Sequence, residues 1–248
     1  MITGKLTYFR LVTELGVSGV RTLLRPSTLS LDDTVAQMRS IGAGAVPTAG
    51  LIAVTAGFIL ALVLEVQLSQ VGKVEMVPSL LWVILTEQVV PVGVALIFTG
   101  RSVSAVAAEL GSMQVSEEVK ALFTMGIDIT PYLLLPRFLG FQIMLPMVTL
   151  LGIYAALFGG WLLCGPVLRM SLSDYIFYAL DGSRFTSVLV ALGKSALFGF
   201  IIATTALYKG MNVRHGSREI SEATTQSVVV AVIMVTLADA AVTALELT

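Results

Sequence analysis

Three ionisable residues stand inside strongly apolar stretches of the chain, where charge is costly: Glu87, Lys194 and Asp239. A carboxylate or an ammonium at the centre of a bilayer costs about 2.5–3.5 kcal/mol on insertion scales. Each of the three must therefore face a cavity, an opposite charge or a neutralising proton. Two roles are open: a pair of Lys194 with Glu87 or Asp239 that only fixes helix packing, or the lining of a pathway in which a fixed cation meets a phosphate.

Other kinds of chemistry find no support in the residue pattern. The run Gly193–Ser195 resembles the end of a phosphate-binding loop, but the full motif needs glycine where Val188 stands and a preceding strand. With one histidine, His215, and one cysteine, Cys164, the chain cannot assemble a metal cluster. No pair of nucleophile and base is evident either. The sequence therefore predicts no catalytic site, no metal and no cofactor in this chain.

The composition indicates which elements must hold these residues. Apolar residues make up 56% of the chain and charged residues 12%, and the mean hydropathy is +0.92. Soluble domains average about 25% charged residues, so the chain is predicted to be a polytopic membrane protein. Its net charge of -1 gives no case for nucleic acid binding.

Five stretches are long and apolar enough to cross a bilayer core, which takes roughly 20 residues per helix. They are Gly44–Leu64, Met76–Thr99, Phe138–Cys164, Val188–Tyr208 and Ser227–Leu247. The predicted fold is an all-α integral membrane protein with five transmembrane helices and termini on opposite sides. Lys and Arg concentrate in the N-terminal segment and in the second and fourth connections. This bias places the N-terminus in the cytoplasm and the C-terminus outside.

Residues 1–43 are predicted to form an N-terminal region ahead of a five-span domain over residues 44–248. The segment Gly4–Leu24 mixes apolar and basic side chains, which favours a helix lying in the headgroup plane. A leader helix packed on the spans is the alternative. Pro26 ends this helix, and Ser30–Asp33 resembles a capping signal for a second helix that runs into the first span.

Residues 100–137, between the second and third spans, carry seven charges in a chain that otherwise avoids them. Ser116 is predicted as an N-cap, which puts Glu117 and Glu118 in a first helical turn, where the helix dipole favours acids. Gly126 is predicted as the residue just past the helix end, which leaves a helix of about nine residues.

The same helix has an apolar side. Val119, Leu122 and Phe123 share one face by their spacing. An apolar ridge behind an acidic end suits insertion into a groove on a partner protein. The alternative is a surface helix that lies on its own protein.

The segment also carries a resemblance to a known family. The matching residues are Gly100, Arg101, Ser104, Ala105, Ala108, Glu109, Leu110, Gly111, Met113, Glu117, Glu118, Ala121, Leu122, Met125, Gly126, Ile127, Asp128, Pro136 and Arg137. This pattern is similar to the signature of MlaE/YrbE-type permeases, the membrane subunits of ABC transporters that work with MCE-domain lipid-binding proteins. Weaker matches extend over most of the chain, and the family architecture of an interfacial helix, five spans and a cytoplasmic coupling helix agrees with the elements predicted above.

The resemblance implies a function and a set of partners. The chain would be one half of a homodimeric permease that moves phospholipid, or a related lipid, between the inner (cytoplasmic) membrane and an MCE-domain partner. A separate cytoplasmic ABC ATPase subunit would bind ATP and Mg²⁺ and dock on a coupling surface. That surface comprises Glu117, Glu118, Val119, Leu122, Phe123, Met125, Gly126 and Asp128.

A second set of residues is predicted to line the substrate pathway within the spans. These residues are Leu64, Gln67, Glu87, Gln88, Pro91, Lys194 and Asp239. Pro91 lacks the N–H that would bond the carbonyl of Glu87, so a kink and a gate are expected there. Many relatives carry Arg-Glu-Leu-Gly-Pro in this span, whereas this chain has Glu-Gln-Val-Val-Pro ending at Pro91.

The alternative function is an ion-coupled secondary transporter that uses Glu87, Lys194 and Asp239 as a proton relay. Such carriers are often built from inverted repeats, and no repeat between the halves is visible in this sequence. An accessory scaffold without a pathway of its own is a third interpretation. Transport that persists with ATP hydrolysis blocked would favour the carrier, and transport that survives neutralisation of Lys194 and Asp239 would favour the scaffold.

Overall fold

The structure, a computed structural model, describes residues 8–24, 31–181, 185–214 and 216–246. Within these ranges every regular element is helical, as predicted. The α-helices are α1 (Tyr8–Leu24), α2 (Leu31–Met38), α3 (Val46–Ser69), α4 (Val77–Ile84), α5 (Val90–Phe98), α6 (Ser104–Val115), α7 (Glu118–Thr124), α8 (Leu135–Leu168), α9 (Leu172–Asp181), α10 (Phe185–Met211) and α11 (Gly216–Glu246). Wider π-helical segments lie at Arg39–Ala43, Leu85–Val89, Thr99–Val103 and Thr130–Leu134, and a 3₁₀ turn lies at Val74–Met76.

Five helical stretches of the described chain are long and apolar enough to cross a membrane, which confirms the predicted number. They are Thr34–Ser69, Val74–Val115, Thr130–Leu168, Thr186–Met211 and Gly216–Glu246. Each observed stretch is longer than the predicted one, because a composition window detects the hydrocarbon-crossing part of a helix and not its polar ends. The chain is a multi-pass, all-α membrane protein.

By internal contacts the chain forms two compact units, each assembled from separate pieces of sequence. The first unit comprises Met1–Ala45, Ala95–Leu145 and Leu197–Thr248, and the second comprises Val46–Val94 and Pro146–Ala196. In the first unit α6 packs along α11, and α1 packs against the π segment Thr130–Leu134. In the second unit α4 packs against both α3 and α9.

Helices α3 and α8 approach each other through glycine. A Cβ atom added to Gly57 would overlap the carbonyl oxygen of Ala156, and one added to Gly159 would overlap the carbonyl oxygen of Val54. Both glycines are buried. Small residues let helix backbones come into direct contact in a membrane, where packing rather than hydrophobicity drives association.

The N-terminal elements follow the sequence closely. α1 buries Leu11 and Leu15 and exposes Phe9 and Val17, so the helix is amphipathic as predicted, and its position at the membrane interface stays a prediction. α2 begins at Leu31, directly after the expected capping signal. Ser30 itself lies outside the described residues.

Helix α9, between the third and fourth spans, is not predicted by apolar windows. Ser171 begins it: its Oγ accepts the N–H of Asp174 at 3.2 Å and donates to the carboxylate of Asp174 at 2.6 Å. This Ser-x-x-Asp spacing is a helix-start signal that could have revealed the helix. Tyr175 anchors α9 by donating its hydroxyl to the carbonyl of Leu157 at 3.2 Å. Burial, and secondly the nearby Cys164, raise the pKa of the Tyr175 phenol further above neutral pH.

Candidate functional site

The connection between the second and third spans contains the short helix α7. This helix runs from Glu118 to Thr124 and is preceded by Glu117 in the left-handed conformation, with φ 59°. The predicted N-cap at Ser116 is wrong. Its Oγ lies 3.0 Å from the carbonyl oxygen of Ser112 and 2.8 Å from a carboxylate oxygen of Glu118, either of which can accept its one proton, and the residue that caps α7 is Glu117. α7 is shorter than predicted because it begins at Glu118 and ends at Thr124.

The C-terminal end of α7 matches the sequence prediction. Gly126 has φ 77°. Its N–H bonds the carbonyl of Phe123 at 3.0 Å, and the N–H of Ile127 bonds the carbonyl of Leu122 at 3.1 Å. This pair of bonds is the Schellman motif, which favours glycine at the left-handed position.

The apolar ridge of α7 divides between the protein and its surroundings. Val119 is 1% exposed and fixes α7 to its own chain, whereas Phe123 is 48% exposed and Met125 is 66% exposed. Leu122 is half-buried between them. One end of the ridge thus packs on its own protein and the other end is exposed, and docking of a partner on the exposed end stays a prediction.

Acidic side chains surround this exposed apolar tip. Glu117, Glu118 and Asp128 are all exposed. Glu117 lies 3.3 Å from the ammonium of Lys120, but an exposed pair of this kind contributes little stability. Asp128 accepts the backbone N–H of Thr130 at 3.2 Å and so begins the next helical segment. A docking partner would meet an apolar tip within a mainly negative field.

An ion pair between a buried arginine and a half-exposed glutamate joins the helices on either side of α7. Arg137, at the start of α8, is 4% exposed, and its Nη2 lies 2.7 Å from Oε1 of Glu109 on α6. Its Nη1 donates to the carbonyl of Leu133 at 2.9 Å. Because the two residues lie on opposite sides of α7 in the sequence, this pair closes the base of the segment and stiffens it.

Replacing Arg137 with methionine is expected to destabilise this base. The variant loses both charge-assisted bonds at a buried site, which costs about 2 kcal/mol, and the melting temperature of the purified protein should fall by several degrees. Glu109→Gln is the matched control, because glutamine keeps an oxygen acceptor and Glu109 is half-exposed. Its expected cost is below about 1 kcal/mol. Equal melting temperatures for both variants and the natural chain would contradict a structural role for the pair.

The second unit brings together Glu87 and two residues of α10. The ammonium of Lys194 donates to the backbone carbonyl of Glu87 at 3.1 Å, and the hydroxyl of Ser187 donates to the carboxylate of Glu87 at 2.6 Å. Lys194 and Glu87 are therefore neighbours, but the bond between them reaches the main-chain oxygen of Glu87, and a charge pair with the Glu87 carboxylate stays a prediction. Lys194 is 2% exposed and Ser187 is buried as well.

The second span is irregular near Pro91. Residues Leu85–Val89 form a π-helical segment between α4 and α5 that ends two residues before the proline. The kink and the gate expected at Pro91 stay predictions. Of the other predicted pathway residues, Gln67 is exposed, and Leu64 and Gln88 are half-buried. These residues belong to the second unit, whereas Asp239 lies half-buried on α11 of the first unit. Their role in a pathway stays a prediction.

Ser187 was missed in the sequence, although a signal for it exists. It precedes Lys194 by seven residues, which is two helical turns, so both residues lie on the same face of α10. The Glu109–Arg137 pair was likewise missed, because nothing local joins two residues on different helices. In the described part of the chain no three His, Cys, Asp or Glu side chains come together to hold a metal ion.

The chain is similar in sequence to several known proteins. A probable ABC transporter permease protein of Rickettsia bellii is 28% identical over 242 residues, 98% of this chain and 91% of the relative. One from Synechocystis is 29% identical over 208 residues, 82% of this chain and 77% of the relative. The chloroplastic protein TRIGALACTOSYLDIACYLGLYCEROL 1 of Arabidopsis thaliana is 30% identical over 173 residues, 70% of this chain and 49% of the relative. The family model described as Permease MlaE matches residues 34–245, and the chain therefore belongs to the MlaE permease family.

Proposed function

We propose that this chain is the membrane subunit of a homodimeric ABC transporter that moves phospholipid or a related lipid. The lipid passes between the inner membrane and an MCE-domain lipid-binding partner, and a separate cytoplasmic subunit hydrolyses the ATP. Membership of the MlaE permease family and the relatives named as ABC transporter permeases support the permease role. The Arabidopsis relative is named after the galactolipid trigalactosyldiacylglycerol, which supports lipid as the cargo.

The main structural support for this proposal is the set of helices that α7 and its flanking segments contact. α7 contacts α6, which packs along α11, and the π segment after it, Thr130–Leu134, packs against α1. A partner that grips the exposed tip of α7 therefore acts on the second and third spans at once, and through α6 on the fifth. ATP-driven closure of two ATPase subunits would move the spans by pushing on this tip.

The outer faces of the spans suit lipid and a second copy of the chain. In the most apolar stretch of the fifth span only 11% of the residues are buried within the chain, whereas in the third and fourth spans the share is 50%. Exposed apolar side chains continue along α11, including Val229, Ile233 and Leu237. Such a face in a membrane protein contacts acyl chains or another helix.

Reversing the charge of Glu118 tests the coupling role. We expect Glu118→Lys to leave the complex of permease, ATPase and MCE subunits assembled, because the apolar tip still holds the partner. The lysine places a positive charge at the helix N-terminus and removes the acid from the docking field. ATP-dependent transfer of a fluorescent phospholipid between proteoliposomes and the MCE partner should fall at least about tenfold.

The matched control is Glu75→Lys, an equal charge reversal at an exposed residue in the 3₁₀ turn Val74–Met76, at the start of the second helical stretch and outside residues 100–137. It should leave ATP-dependent transfer unchanged. Normal transfer by Glu118→Lys would refute the coupling assignment. Transfer by the natural complex that persists when ATP hydrolysis is blocked would favour an ion-coupled carrier instead.

A further inference from the structure

The second span contains a break whose cause is local. Proline has no N–H, and its ring presses against the carbonyl four residues earlier. In a regular α-helix the N–H at position 91 would bond the carbonyl of Glu87, which lies inside the π segment Leu85–Val89, where the N–H of Val90 bonds the carbonyl of Leu85. A backbone oxygen without its regular donor is expensive inside a membrane, where no bulk water replaces the missing bond.

Helix α10 supplies a donor at this position. The ammonium of Lys194 lies 3.1 Å from the backbone oxygen of Glu87, and the side chain of Lys194 is almost entirely buried. Two turns earlier on the same helix, Ser187 bonds the carboxylate of the same residue at 2.6 Å. α10 thus holds Glu87 by its main chain and by its side chain together.

We infer that Lys194 is a positioning residue whose ammonium replaces the backbone donor that Pro91 removes. The bond fixes the π segment in one conformation and aims the Glu87 carboxylate at Ser187. The role requires a hydrogen-bond donor and requires neither a positive charge nor contact with a lipid phosphate. The structural part of this inference stands alone, and its consequence for transport rests on the proposed function.

A pair of substitutions separates the need for a donor from the need for a charge. Lys194→Met keeps a long side chain and removes every donor, whereas Lys194→Gln keeps an N–H donor and removes the charge. If Lys194 positions Glu87, the glutamine variant should melt well above the methionine variant and transfer lipid faster. If Lys194 instead binds a lipid phosphate through its charge, both variants should lose lipid transfer equally.

The second test restores the backbone donor. In Pro91→Ala the new N–H can bond the carbonyl of Glu87, so Lys194 becomes dispensable there. Lys194→Met in the natural background should lower the melting temperature by several degrees and reduce ATP-dependent transfer by about tenfold. In the Pro91→Ala background the same substitution should leave the melting temperature unchanged and reduce ATP-dependent transfer by less than about twofold.

The outcomes are decisive for complexes purified with all subunits. An equal loss of melting temperature for Lys194→Met in both backgrounds overturns the inference, whatever happens to transport. If Lys194→Met alone does not accumulate as folded protein, recovery of folded protein in the double variant supports the inference, and its failure overturns it. The proposed function is judged separately, by ATP-dependent transfer in the natural complex.

Discussion

Valine at Gly57 or at Gly159 is expected to prevent accumulation of folded protein. A side chain at either position meets a backbone carbonyl of the opposite helix, and a carbonyl within a helix cannot move aside as a flexible side chain can. Helices α3 and α8 would have to separate, and the buried contacts beside them would be lost. We expect a destabilisation above about 4 kcal/mol, seen as loss of the monodisperse peak in size-exclusion chromatography of the detergent-solubilised protein.

The matched control for this prediction is Gly50→Val in the same helix α3. No atom lies within 4 Å of a Cβ added at Gly50, so the same chemical change meets open space there. This variant should elute and melt like the natural chain. A Gly57→Val protein that melts normally would show that the two backbones are not in direct contact.

Aspartate at Phe123 is expected to release the ATPase subunit. Phe123 is the half-exposed aromatic residue of α7, and aromatic anchors of this type dominate the energy of protein interfaces. In the proposed docking mode the substitution removes the anchor and places a charge at an apolar contact, so association should weaken at least about 100-fold. Co-purification of the ATPase with tagged permease measures this directly. The result differs from that of Glu118→Lys, for which the complex stays assembled.

Thr124→Asp provides the control on the neighbouring residue. Thr124 is exposed on the face opposite the ridge, and an acid there meets the same helix dipole as one at position 123. Phe123→Leu provides a second control, since it keeps an apolar anchor. Both variants should retain the ATPase. Retention of the ATPase by Phe123→Asp would mean that the partner does not use the apolar tip.

The spans and the end of α7 were predictable because each depends on a constraint that acts locally. Crossing roughly 30 Å of hydrocarbon demands a long apolar run, and no tertiary contact is needed to see one. The left-handed residue after α7 strongly favours glycine, so Gly126 marks that position by itself. Glu117 adopts a similar conformation without any such mark, because the tight turn between α6 and α7 imposes it.

The partners of Lys194 and Arg137 were harder to predict because they depend on which helices become neighbours. From charge alone we expected Lys194 to pair with a carboxylate. In the structure it donates to the main-chain oxygen of Glu87, four residues before Pro91 in another span. The missing N–H of Pro91 was visible in the sequence, but nothing local indicates which helix supplies the replacement. Arg137 and Glu109 both belong to the recognised pattern of residues, and only the folded segment shows that they form a pair.

Cys164 gives the protein a practical property. It is the sole cysteine of the chain, and its side chain is completely buried within α8, so a thiol reagent finds no accessible target on the native molecule. One cysteine introduced at exposed Met125, or at exposed Lys73 in a different connection, would then be the single reactive thiol. The natural chain is therefore a ready background for maleimide labelling from one side of a sealed vesicle, which reads out topology directly.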